Sequence, residues 1–88
     1  MRMDLTIINE KGLHARASAK FVETVEAFDA DATVTKDGID VGGGSIMGLM
    51  MLAASKGCEI TVETSGNQAL ELGDAIKALV GDFFGEGK

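Results

Sequence analysis

The chain has no proline, tryptophan or tyrosine, and only one cysteine, one histidine and four phenylalanines among its 88 residues. Each shortage removes a class of protein. The single Cys58 closes no internal disulfide, and one thiol with one imidazole cannot assemble a closed zinc site. We therefore expect no metal and no cofactor. Positive charge is also short: 8 Lys and Arg against 14 Asp and Glu leave a net charge of −6, which disfavours nucleic acid and anionic membrane as partners. No apolar run approaches membrane-spanning length, and the first residues lack the apolar core of a secretion signal. The expected location is a reducing cytoplasm. What is present, 45% hydrophobic and 25% charged residues, suits one aliphatic-cored domain over residues 1–88, with a monomer as the default.

Alternation of Met3, Leu5 and Ile7 with polar neighbours predicts a first strand, and Asn9–Gly12 has turn chemistry. Ala17, Phe21, Val22, Val25 and Phe28 then recur at helical spacing in a helix opening at His14. Two alternating segments around Asp37-Gly38 predict a hairpin. Ser45 is placed to cap a short helix over Ile46–Ala54 that Gly57 would end. Cys58, Ile60 and Val62 mark a fourth strand with one polar face, and Cys58 reads as a buried strand residue without a neighbouring base. Ala69, Leu72, Ile76, Leu79, Val80 and Phe83 form the stripe of the longest helix, after which Gly85–Lys88 should fray. The order βαββαβα gives an α+β two-layer domain, helices on one face of a four-stranded sheet. Pattern alone leaves the strand order open, a ferredoxin-like one included.

His14 stands where strand gives way to helix. A phosphate carried on its imidazole would find the unpaired N–H groups of Ala15 and Arg16 and the positive end of the helix dipole, while the Arg16 guanidinium adds a forked cation. The plain alternative is a surface histidine at a helix start. Gly42-Gly43-Gly44-Ser45 lacks the lysine and spacing of a nucleotide-binding loop, so it reads as a connector. Ser45 could cap its helix or take a regulatory phosphate, whose charge would alter any docking surface nearby. Ile46, Met47, Leu49, Met50, Met51 and Leu52 exceed what one buried face requires, so an accessible, adaptable Met-rich patch is expected. A ferredoxin-like soft-metal carrier using His14, Cys58 and methionines is disfavoured by the lack of paired thiolates.

Gly12-Leu13-His14-Ala15-Arg16, then Ser45-Ile46-Met47-Gly48-Leu49-Met50 and Lys56-Gly57-Cys58-Glu59-Ile60, resemble the HPr family, histidine phosphocarriers of the bacterial phosphoenolpyruvate-dependent phosphotransferase system. The resemblance implies an open-faced β-sandwich, a four-stranded antiparallel sheet with three helices on one face. It implies that His14 accepts a phosphoryl group on Nδ1 from an Enzyme I-type phosphoenolpyruvate-protein phosphotransferase, assisted by Arg16, and passes it to an EIIA-type domain. Ser45 matches the serine modified in some lineages by an HPr kinase/phosphorylase, and Ile46, Met47 and Met50 match the docking patch. Ala17 stands where many sugar-branch members carry proline, which looks more like the nitrogen-related NPr branch. Gly44 stands where lysine often precedes the serine. A regulatory binding module controlled through Ser45 is the competing reading.

Overall fold

Leu5 and Ile7 turn inward from the first strand while Asp4 and Thr6 face outward, and that alternation recurs in every strand that meets the core. The computed structural model describes residues 1–88 as β1 (Arg2–Thr6), α1 (Ala15–Glu26), β2 (Asp31–Lys36), β3 (Ile39–Gly42), α2 (Ile46–Met51), β4 (Glu59–Ser65) and α3 (Ala69–Gly81), followed by a 3-10 turn, Phe83–Gly85. The four strands pair antiparallel in the order β1-β4-β2-β3, which answers the question of strand order that periodicity left open. The predicted hairpin joins β2 to β3, with Asp37 at φ 51 and Gly38 at φ 79, as a primed turn requires.

One face of the sheet carries the helices. Val34, Ile60 and Val62 are fully buried against Phe21 of α1, Leu49 of α2 and Leu72 and Ile76 of α3. The other face is polar, with Thr35 Oγ1 donating to Asp40 at 2.6 Å and Thr61 Oγ1 to Asp4 at 2.7 Å. The expected one-sided α+β sheet is thus the observed one.

Four details differ from expectation. α2 ends at Met51, and the left-handed residue beyond it is Ala53 at φ 51 rather than Gly57. The chain leaves the helix early because Ala54 is buried and its carbonyl accepts the Leu13 N–H at 2.9 Å, tying this segment to the loop before α1. Gly57, at φ +91, instead shapes the turn that delivers its N–H to Ile7 O at 2.7 Å. Cys58 is half-buried just before β4, its sulfur 3.4 Å from Ser55 Oγ. Residues 85–88 do not simply fray after α3: Phe83 and Phe84 take positive φ, Phe84 rather than Phe83 fills the core, and Glu86 turns back toward α1.

Candidate functional site

Gly12 fixes the approach to α1. It has φ +64, and a Cβ there would lie 2.4 Å from the Ala54 carbonyl oxygen, so only glycine permits this crossing. Leu13 is buried beside it, which leaves His14 as the N-cap of α1 in extended conformation. The His14 carbonyl accepts the first helical bond, from Ser18 N at 2.9 Å, while the imidazole makes no capping bond. The N–H groups of Ala15 and Arg16 have no partner in the chain, as expected at a helix start.

The ring is part-exposed and is held from one side. His14 Nε2 lies 2.5 Å from Glu86 Oε2, and Glu86 Oε1 accepts from Asn9 Nδ2 at 2.9 Å. The same Asn9 Nδ2 donates to Gly12 O at 3.0 Å. Both neighbours of that nitrogen are acceptors, which fixes the orientation of the fully buried Asn9 amide and leaves its Oδ1 buried without a partner. Burial opposes the charge on Glu86, but the bonds from Asn9 and His14 and the nearby Lys11 outweigh it, and its carboxyl is held below the usual range.

Two depressions flank the histidine. One, of about 250 Å³, is lined by Lys11, Arg16, Lys20 and Lys88 with Glu10 and Glu86, a local cationic spot on a chain of net charge −6. The other, of about 260 Å³, has His14 itself in its wall with Leu13, Met50 and Ala53. The structure therefore places Arg16 and Glu86 in the lining of one depression and Met50 and His14 in that of the other. Ser45 lines neither depression. It is exposed and caps α2, its Oγ accepting from Gly48 N at 2.9 Å. Ile46, Met47 and Met50 are 39%, 75% and 43% exposed, and Met51 at 72% joins them, whereas Leu49 and Leu52 are buried.

The chain matches the family model described as the PTS HPr component phosphorylation site over residues 1–82. It is 48% identical over 88 residues to the phosphocarrier protein HPr of Neisseria meningitidis, covering 100% of this chain and 99% of that one. The chain belongs to the HPr family. HPr of Cupriavidus necator is 46% identical over the same span. The crystal structure of HPr-C-His from Thermoanaerobacter tengcongensis superposes with a TM-score of 0.93 at 36% identity, covering 98% of this chain and 97% of that one. The protein is thus an HPr-type phosphocarrier of the phosphotransferase system, and the reading as a regulatory module first and a carrier second is not favoured.

Asn9, Lys20, Glu86 and Lys88, to which sequence reasoning gave no role, hold or line the surroundings of His14. Glu86 lies beyond the residues that the family model matches. Ala17, the position of the missing proline, is fully buried in the first turn of α1, where no intrahelical acceptor awaits its N–H. The backbone would accommodate either residue there.

Proposed function

We propose that His14 is the phosphoryl acceptor of this HPr-family carrier, reacting through Nδ1 with an Enzyme I-type donor and passing the group to an EIIA-type domain. One observation carries the reading: Nε2 is occupied by Glu86, so the ring nitrogen left for chemistry is Nδ1, at a helix start whose Ala15 and Arg16 N–H groups are unpaired. A neutral imidazole is a competent nucleophile near neutral pH, and transfer needs alignment and charge stabilisation more than a deep pocket. Arg16 supplies the fixed cation for the transferred phosphoryl oxygens.

Ile46, Met47 and Met50 form the docking surface for both partners, and Met50 makes it continuous with the wall that holds His14. Ser45 is the regulatory position, reachable by an HPr kinase/phosphorylase because it is exposed, and a phosphate there would place about two negative charges beside that surface. The carrier acts as a cytoplasmic monomer, and Ala17 favours the nitrogen-related branch over sugar uptake.

Incubation with phosphoenolpyruvate and the cognate kinase should give an acid-labile, base-stable modification that His14→Ala abolishes. Equal labelling of His14→Ala would overturn the assignment. Running the transfer onward against each EIIA-type acceptor of the same cell separates the two branches.

A further inference from the structure

Glu86 reaches His14 because the segment after α3 is held at three points. Phe84 is fully buried, Lys20 Nζ donates to Phe84 O at 2.6 Å, and Asn9 Nδ2 donates to Glu86 Oε1 at 2.9 Å. Phe83, Phe84 and Gly85 take φ of 56, 53 and 75. Two consecutive non-glycine residues in that region persist only where the surroundings over-determine them. The outcome of this arrangement is Glu86 Oε2 set 2.5 Å from Nε2, with its side chain only 11% exposed.

We propose that Glu86 is a positioning residue for phosphoryl transfer, holding the Nε2–H form of His14 so that the lone pair stands on Nδ1, and remaining as counter-charge to the phosphorylated ring. The inference rests on the acceptor role of His14 given above. In the neutral ring one nitrogen carries the proton and the other the lone pair, and the hydrogen bond at one decides the state of the other. A carboxylate can only accept, so Nε2 must be the protonated nitrogen.

In the step itself the Nδ1 lone pair forms the N–P bond. The donor's bond to phosphorus breaks, and its electron pair leaves with the donor. No proton moves: Nε2 keeps its hydrogen, and the ring ends as a phosphoimidazolium with its positive charge against Glu86. Onward transfer reverses the sequence, the N–P electrons returning to Nδ1 to give the neutral ring. The cations nearby, Lys11, Arg16, Lys20 and Lys88, cannot serve as counter-charge to the ring, and the remaining acidic group of that depression, Glu10, is exposed.

The test measures ¹⁵N imidazole shifts and steady-state transfer for wild type, Glu86→Gln and Glu86→Ala, each checked for wild-type thermal unfolding. At a pH where the ring is neutral, wild type should hold predominantly the Nε2–H tautomer and Glu86→Ala a mixture. Glu86→Gln, which can still accept from Nε2, should keep the tautomer but lose the counter-charge. For both variants kcat should fall on the order of tenfold, with KM within about twofold. Unchanged tautomer populations in Glu86→Ala, or a wild-type kcat in both variants, would overturn the proposal. The tautomer measurement needs no kinase, so failure of wild type to label at His14 would sink the acceptor assignment separately. Should Glu86→Ala unfold, the isosteric Glu86→Gln still decides through kcat.

Discussion

Glu86 is a carboxylate whose charge burial opposes and whose neighbours favour, and the neighbours prevail. Its folded pKa lies below the ordinary 4.5, so it contributes stability fully above the unfolded value and loses that contribution as pH falls through the lower folded value. Acidification below about 4.5 should therefore release the turn from His14 while the rest of the core stays folded. Amide shifts of residues 84–86 followed against pH check this, and Glu86→Gln should flatten the transition. Cys58 is a second residue that its neighbours tune. Hydrogen bonding with Ser55 favours its thiolate, Lys36 adds to this, and together they outweigh burial and Asp37, so its pKa is lowered. The sequence showed no neighbouring base for Cys58; the groups that favour its thiolate are a hydroxyl and a lysine. Alkylation by iodoacetamide should be faster than for a free thiol and slower in Ser55→Ala. Neither setting was equally readable beforehand. Asn9 continues the inward parity of Met3, Leu5 and Ile7, so a polar residue on the buried side was visible in the sequence. Glu86, between Gly85 and Gly87, carried no periodic signal; its position follows from the burial of Phe84 and from the bond of Lys20 to Phe84 O, a contact between residues 64 apart in the chain.

Among the elements, α2 depends most on its ends. It spans six residues, too few to be stable alone, and Leu49 and the Ser45 cap hold it in place. Ser45→Ala should cost about 1 kcal/mol in urea unfolding, whereas Ser45→Asp, which can still cap, should cost much less and act chiefly on partner affinity. Strands and helices were legible because each buries one face, so its apolar period survives in the sequence. Element ends were less so. The Ala54 carbonyl is committed to Leu13, a contact set by packing α2 beside the loop before α1, and no local pattern announces that α2 must stop at Met51 instead of continuing to Ala54. The glycine run has a comparable origin. A Cβ on Gly43 would lie 2.9 Å from that of Ala32 and 3.2 Å from the Phe21 ring, so close packing explains that glycine without a phosphate, while Gly42 and Gly44 face open space, as in a connector.

For the whole molecule, the consequence of packing is that one core serves both stability and the site. The buried cluster takes Leu5 from β1 and Ile7 from just beyond it, Phe21 from α1, Leu49 from α2, Ile60 from β4 and Ile76 from α3, and Phe84 joins it from beyond the last helix. That last member is the anchor of Glu86. Phe84→Ala should therefore cost about 3–5 kcal/mol, a large share of the roughly 5–15 kcal/mol that holds a domain together. It should also loosen Glu86 and shift the His14 ring toward mixed tautomers. Glu86→Gln should show the converse pattern, at neutral pH losing only the small stability its charge contributes while transfer slows, because the group it alters lies at the edge of the core. Urea unfolding and transfer rates measured on the same two variants test the separation. If Phe84→Ala lost stability yet transferred at the wild-type rate with an unchanged tautomer, the core would support the fold alone, and His14 would hold its ring state without the segment beyond α3.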